Sequence, residues 1–295
     1  MFGLYFGHYL VEKNKISQSQ LDSIKQKHHE TRAKLGLIAV SEKVLTKKQS
    51  DEINEIQKKM DSRFGDIAIE KGYLLQEEVN YLLNLQGNSY LRFIQLFTEQ
   101  NILTLAQIEA LLEEYKKEYH FTDLELDALK SGDIDRIIPI FVNTDTAYCD
   151  ECVSLAVRNL IRFIDNDVIL QKSYKSKNYP FTSLASQQMK GAPNVFVGFS
   201  GDDAALLRIA SNFAKERFQT MDEDAYDSVC EFINCTNGIF ASKLSYENIH
   251  IDITPPCYYR NHTLVTEGDI YIVPTFINGD QTDIVVVIND PVMIN

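Results

Sequence analysis

The chain has 295 residues, of which 44% are hydrophobic and 24% are charged. This composition is typical of a globular protein, and it excludes a wholly disordered chain, a collagen-like chain and a small disulfide-rich scaffold. The 29 basic and 42 acidic residues give a net charge of −13, with most of the excess acid in residues 131–295, which argues against nucleic acid or an anionic membrane as a partner of that half.

Hydropathy and cysteine usage indicate a cytoplasmic chain. No apolar run approaches the roughly 18 residues that suggest a membrane span. The apolar first ten residues lack the basic leader and the small-residue cleavage site of a secretory signal. The five cysteines include one C-x-x-C pair, Cys149 and Cys152, with no second pair or nearby histidines, so we expect no metal site.

A 29-residue repeat occupies the first part of the chain. Phe6-Gly7, Leu35-Gly36 and Phe64-Gly65 recur at this spacing, with Phe93-Ile94 in the fourth place. Four further columns also repeat: Leu10, Ala39, Ala68 and Phe97; Ile16, Leu45, Leu74 and Leu103; Gln20, Gln49, Glu78 and Gln107; and Ile24, Ile53, Leu82 and Leu111. An internal period of this length predicts stacked copies of one small unit.

Each unit is predicted to be two helices joined by a tight turn. The turns contain Asn14, Lys43, Gly72 and Asn101. Ser17, Thr46 and Thr104 stand where the second helices should be capped. The sequence therefore predicts an all-α helical repeat domain over residues 1–122.

The repeat pattern resembles the tandem motif of MshEN-type domains, which bind cyclic di-GMP. Arg63-Phe64-Gly65 keeps the leading arginine of that motif, and Lys34 precedes Leu35-Gly36. The resemblance implies a nucleotide site formed by these two segments, namely Lys34, Leu35, Gly36, Arg63, Phe64 and Gly65. The other interpretation is that the repeats are a protein-interaction module without a nucleotide.

A linker is predicted at residues 123–134, followed by an α+β domain at residues 135–295. Amphipathic patterns predict helices at 151–164, 203–218 and 222–241. Short strands are predicted at 168–174, 195–199, 249–254, 269–277 and 283–288. Two long helices and a meandering antiparallel sheet indicate an α+β layer fold.

One helix of this domain carries the pattern D-x-x-x-E-x-x-N at Asp227, Glu231 and Asn234. Residues three apart on a helix project together, and we expect Glu231 and Asn234 to lie opposite the core face. A solvated acidic face is the ordinary interpretation. Against it, asparagine is a poor residue for a helix interior, and Gly238 bares the backbone nearby.

The motif, with Pro255-Pro256 about twenty residues later, resembles the CheX/CheC chemotaxis phosphatases. Such enzymes remove the phosphoryl group from the aspartyl phosphate of a CheY-like response regulator, which itself supplies Mg²⁺. The resemblance implies that Asn234 orients the attacking water and that Glu231 anchors the regulator through its active-site lysine. It also implies a CheX-like α/β layer domain, no cofactor of its own and the possibility of a homodimer.

The sequence therefore predicts a response-regulator phosphatase with an N-terminal sensory or adaptor domain. The alternatives are a non-catalytic protein that docks a regulator and an effector that responds to cyclic di-GMP.

Overall fold

The computed structural model describes residues 2–28, 33–57 and 62–295, and it divides the chain into two compact units, Met1–Asp133 and Ile134–Asn295. The first unit is helical, and the second contains an antiparallel sheet with helices. This is the α+β organisation that the sequence predicts. None of the helices in the described part of the chain combines the length and the apolar character that a bilayer crossing requires.

The first unit contains helices α1 to α9 over its described residues. Their bounds are Phe2–Glu12, Gln18–His28, Leu35–Ser41, Lys47–Gln57, Phe64–Glu70, Gln76–Asn84, Ser89–Glu99, Leu105–Glu118 and Asp123–Ser131. A 3₁₀ turn, Leu85–Gly87, follows α6.

The second helix of each repeat begins 29 residues after the second helix of the repeat before it. Helices α2, α4, α6 and α8 begin at Gln18, Lys47, Gln76 and Leu105. The turn before each of them contains one residue with positive φ, namely Asn14, Lys43, Gly72 or Asn101. These are the turn positions that the sequence predicts.

The repeating glutamine or glutamate column closes the start of each second helix. The side-chain oxygens of Gln20, Gln49, Glu78 and Gln107 accept hydrogen bonds of 2.7–2.9 Å from the backbone N–H three residues earlier. The hydroxyls of Ser17, Thr46 and Thr104 accept from the backbone in return. This reciprocal capping box satisfies two N–H groups that a helix start otherwise leaves free.

The apolar columns form the core of the first unit. Leu10, Ala39, Ala68 and Phe97 are all fully buried. Each of the other apolar columns is also buried in all four copies. Stacking therefore removes from water the faces that a single two-helix unit would leave exposed.

The predicted linker at 123–134 differs from the structure. Most of it is helix α9, capped by Thr122, whose hydroxyl accepts from the Glu125 N–H at 3.2 Å. Leu126 and Leu129 of this helix are buried, and α9 packs against α1 and α7. The first unit consequently extends to Asp133, and the charged appearance of the segment reflects only its exposed face.

The second unit begins with helices α10, Ile134–Phe141, and α11, Ala147–Asn159, which continues as a π-helical turn to Ile164. Two further helices are α12, Asp203–Ala214, and α13, Glu223–Tyr246. The strands β1 to β7 are Val168–Leu170, Tyr174–Gly191, Val195–Gly201, Ile251–Ile253, Cys257–Ile277, Asp280–Ile288 and Val292–Ile294.

The strands form one seven-stranded antiparallel sheet in the order β1-β5-β6-β3-β2-β4, with β7 beside β5. Because β2 also pairs with β5, strands β2, β3, β6 and β5 close into a ring of hydrogen-bonded neighbours. Phe199 of β3 meets Phe232 of α13 with ring centroids 5.2 Å apart. Alternate residues on the other face of the strands form a second apolar cluster, which includes Phe181, Phe196 and Val285.

Candidate functional site

The candidate site lies along helix α13, beside the loop between β4 and β5. The helix begins at its cap Asp222, whose carboxylate accepts from the Ala225 N–H at 3.1 Å. The predicted core face of the helix is buried throughout: Ala225, Val229, Phe232, Ile233, Thr236 and Phe240. This packing against the sheet fixes the direction in which the remaining side chains project.

Glu231 and Asn234 lie together on this helix, as their spacing predicts. Glu231 is exposed, and Asn234 is half-buried. The amide Nδ2 of Asn234 lies 3.5 Å from Glu231 Oε2, the outer limit of a hydrogen bond. The carboxylate is thus free to reach a partner, whereas the carboxamide is partly enclosed by the fold.

The carboxamide of Asn234 is held from the sheet. Its Oδ1 accepts a hydrogen bond of 2.9 Å from Nε2 of Gln187 in β2. Gln187 Nε2 also donates to the carbonyl of Thr254 at 2.8 Å, and Gln187 Oε1 accepts from Asn237 Nδ2 at 2.9 Å. The sequence predicts neither Gln187 nor Thr254 as a site residue, because their contact with the motif helix depends on strand pairing and not on a local pattern.

The loop that contains the predicted Pro255-Pro256 is also tied to β2. The backbone N–H and the hydroxyl of Thr254 both donate to the carbonyl of Gln188, at 3.0 and 2.9 Å. Because Gln187 Nε2 donates both to Asn234 and to the carbonyl of Thr254, the loop passes beside Asn234. The structure brings the three separated parts of the motif, Glu231, Asn234 and the proline pair, to one edge of the domain.

An aromatic and ionic contact braces the first turns of α13. The rings of Tyr226 and Tyr258 lie 4.0 Å apart. Arg260 donates to Tyr226 Oη at 3.0 Å and to Asp203 Oδ2 at 2.8 Å. Burial raises the pKa of Tyr258 to about 12, because the charged phenolate would be poorly solvated there. The contact joins α13, α12 and β5 where the exposed acidic face of the motif helix begins.

The cysteines do not form a metal centre among the described residues. No group of three or more potential ligands comes together there. Burial raises the pKa of Cys149 to about 12 and that of Cys230 to about 11, as expected for thiols enclosed by apolar surroundings.

The six residues predicted for a nucleotide site all line one groove of the first unit. The groove has a volume of about 1090 Å³ and includes Lys34, Leu35, Gly36, Arg63, Phe64 and Gly65. Lys34 and Arg63 are exposed at its edge, while Leu35 and Phe64 are buried in its wall. Lys34 Nζ pairs with Glu99 Oε1 at 2.6 Å. The groove lining also includes Lys47 and the carboxylates of Asp51, Asp66 and Glu99, so three cations and three carboxylates line the same concave surface.

Comparison with known proteins finds a family match within the second unit. Residues 183–286 match the family model described as chemotaxis phosphatase CheX. The match confirms the predicted resemblance for this part of the chain, whereas the comparisons do not support the resemblance of the repeats to MshEN-type domains. No curated protein matches the chain.

Solved structures of similar proteins include a CheC-like superfamily protein from Shewanella sp. PV-4. It is 17% identical, with a TM-score of 0.44, and covers 49% of this chain and 99% of its own. The chemotaxis protein CheX of Vibrio vulnificus is 19% identical, with a TM-score of 0.43 over 48% and 99% of the two chains. A CheX–CheY–BeF₃–Mg²⁺ complex of Borrelia burgdorferi is 18% identical, with a TM-score of 0.40 over 48% and 97%.

Proposed function

We propose, from the premise that the second unit carries a domain of the chemotaxis phosphatase CheX family, that this chain dephosphorylates a CheY-like response regulator in the cytoplasm. The observation that carries the proposal is the pairing of an exposed Glu231 with a sheet-held Asn234 on one helix face. The first unit would serve as a sensory or adaptor domain.

The chemistry requires little beyond positioning. Water attacks the phosphorus of the aspartyl phosphate, the bond from phosphorus to the carboxylate oxygen breaks, and phosphate and aspartate are released. The regulator brings the acyl phosphate and the Mg²⁺ that neutralises its charge. Phosphoryl transfer of this kind is accelerated mainly by alignment and electrostatics. A neutral carboxamide at Asn234 can orient the water without adding charge.

Glu231 would act in docking. Its carboxylate lies one helical turn before Asn234 and projects into solvent. Pairing with the active-site lysine of the regulator would bring Asn234 over the phosphoryl group in one register. Charge-assisted hydrogen bonds of this type are stronger than neutral ones and depend on geometry.

The test measures how fast the full chain dephosphorylates a CheY-like regulator that has been phosphorylated with acetyl phosphate. Asn234→Ala should reduce turnover about 100-fold, as expected for a lost positioning group, while binding of the phosphorylated regulator persists. Asn194→Ala is the matched control, because Asn194 is also half-buried and its Oδ1 also accepts from a glutamine, Gln188, at 2.9 Å.

Two results would contradict this function. If Asn234→Ala dephosphorylates the regulator at the wild-type rate, the proposed role of Asn234 in orienting the water is wrong. A wild-type chain that binds the phosphorylated regulator without accelerating phosphate release would leave regulator docking as the function.

A second candidate function concerns the groove of the first unit, and the convergence of all six predicted residues favours it. We propose cyclic di-GMP as its ligand, with Lys34 and Arg63 facing phosphates or guanines. Binding would break the exposed Lys34–Glu99 pair, a small cost for a surface ion pair.

Calorimetric titration of the full chain with cyclic di-GMP tests this candidate. Arg63→Ala should abolish the heat of binding, and Lys117→Ala, an exposed cation outside the groove lining, should not. Absence of binding at millimolar ligand would leave the repeats as a protein-interaction module.

A further inference from the structure

Gln187 is a fully enclosed polar side chain in the middle of strand β2. It is 2% exposed and faces helix α13. A carboxamide buried without partners would be costly, but each of its polar atoms has a hydrogen-bond partner. The position would suit an apolar residue, since its neighbours on the same strand face, Ala185 and Met189, are buried and apolar.

The partners of Gln187 fix which way its amide points. The carbonyl oxygen of Thr254 can only accept, so the Gln187 nitrogen must face it, at 2.8 Å. The oxygen of Gln187 then faces Asn237 Nδ2. A backbone carbonyl thus determines an orientation that a side-chain amide pair alone would leave open.

The orientation is passed on to Asn234. The second N–H of Gln187 Nε2 points to Asn234, which must present its oxygen to accept it, at 2.9 Å. Asn234 Nδ2 is consequently turned outward on the side of Glu231. One lone pair of Asn234 Oδ1 remains for a water molecule, and the plane of the carboxamide is fixed.

We propose that Gln187 is a positioning residue, which acts through Asn234 by fixing the direction of its carboxamide. This inference rests on the proposed phosphatase function. In a reaction whose rate depends on the placement of one water, a freely rotating carboxamide would hold that water in the correct geometry for only part of the time.

Gln187→Met tests the inference in the full chain, since methionine has a similar shape and no N–H group. We expect kcat for regulator dephosphorylation to fall at least 10-fold, while KM and the regulator dissociation constant change less than twofold. Gln188→Met is the matched control, because Gln188 lies next in the same strand and bonds Asn194 instead. A fall in kcat equal to that of the control, or a loss confined to KM, would overturn the inference.

A double-mutant cycle separates positioning from general stability. In the Asn234→Ala background, Gln187→Met should cause no further fall in kcat, because the group on which it acts is gone. A further fall of the same size would show that Gln187 acts through the fold and not through Asn234.

The side-chain NH₂ resonances of Asn234, assigned by their loss in Asn234→Ala, give a readout that needs no enzymatic activity. In the wild type they should be dispersed, and in Gln187→Met they should move toward the shifts of a solvated amide. Unchanged resonances would overturn the inference even in an active enzyme. If the wild-type chain is inactive but these resonances move, the phosphatase function fails while the geometry of the inference stands.

Discussion

Asn234 shows how a residue that is unfavourable in its element can mark a site. Asparagine is poor in helix interiors because its side chain competes for nearby backbone groups. In this helix its oxygen is instead engaged by Gln187 from the sheet. The local cost is offset by a tertiary hydrogen bond, and the helix continues to Tyr246.

Replacing Glu231 should affect binding as well as turnover. Glu231→Ala removes the exposed carboxylate proposed to pair with a lysine of the regulator, and we expect the dissociation constant to rise about 10-fold, near the 1.4 kcal/mol that a decade represents. The salt dependence of binding should also weaken. Fluorescence titration with a phosphorylated regulator measures both.

The matched control for that variant is Glu247→Ala, which removes an exposed glutamate at the other end of the same helix. Equal losses in both variants would mean that Glu231 contributes only to the overall acidic field of the helix.

Tyr179 gives a pH-dependent stability whose sign can be stated. Its hydroxyl donates to Asp283 Oδ2 at 2.6 Å, and burial, reinforced by this bond, raises the pKa of the phenol above its ordinary value near 10. Above pH 10 the unfolded chain loses this proton and the folded chain keeps it. The free energy of unfolding should therefore fall as pH rises through this range.

Tyr179→Phe should reduce that slope by up to one proton, about 1.4 kcal/mol per pH unit. At neutral pH the variant should be less stable by about 1–3 kcal/mol, because Asp283 loses a buried donor. Urea unfolding between pH 7 and 11 measures both effects. An unchanged slope would mean that other tyrosines, such as Tyr258, carry the alkaline transition.

At the residue scale, the sequence predicts Glu231 and Asn234 because both lie in one helix and their spacing carries a local pattern. Gln187 could not be predicted in the same way. It is 47 positions before Asn234, in a segment with few β-branched residues, and its role depends on strand pairing that no local period encodes. Its one sequence signal is a polar residue between Ala185 and Met189 on the same strand face.

At the scale of elements, the repeat columns have identifiable physical roles. Gly36 and Gly65 of the first helices lie against residues fourteen positions later, Ser50 and Val79. A Cβ added at these glycines would lie 2.6 Å from Ser50 Oγ or 2.7 Å from Val79 Cγ1. The glycine column is therefore explained by the close approach of the two helices in each 29-residue repeat.

Gly65→Ala should destabilise the protein by up to about 2 kcal/mol, because overpacking costs about 1–3 kcal/mol and alanine regains roughly 1 kcal/mol in a helix. Thermal unfolding would measure the loss, and adding Val79→Ala should recover part of it. Gly87→Ala is the control, since no atom lies within 4 Å of its added Cβ. Equal effects at Gly65 and Gly87 would contradict close packing as the reason for the column.

The strands were predicted less completely than the helices. The predicted strands include only the first residue of β2, Tyr174–Gly191, and β5 begins at Cys257 rather than 269. Both segments are rich in polar residues, and they pair with each other over much of their length. Their extended conformation is stabilised by this long-range pairing, so that local strand propensity is a poor guide.

At the scale of the whole molecule, the boundary between the units depends on tertiary packing. The charged segment 123–134 has the composition of a linker, yet Leu126 and Leu129 are buried within the first unit. Amphipathic periodicity over so few residues is a weak signal. The final helix of a repeat array commonly shields the last apolar face, and α9 has this role here by packing on α1 and α7.

A fragment of residues 1–133 should therefore be more stable than one of residues 1–120. The shorter fragment lacks α9 and leaves the facing surfaces of α1 and α7 in water. Burial of each leucine side chain contributes about 1.5–3 kcal/mol, so loss of Leu126 and Leu129 alone should lower the free energy of unfolding by at least about 3 kcal/mol. Urea denaturation, followed by circular dichroism, compares the two fragments.

Within residues 1–133, Leu129→Ala, at a fully buried position, should lower the free energy of unfolding by about 2–5 kcal/mol. Leu124→Ala, where the side chain is 78% exposed, should have almost no effect. Equal stability of the two fragments would show that α9 is a tether after all.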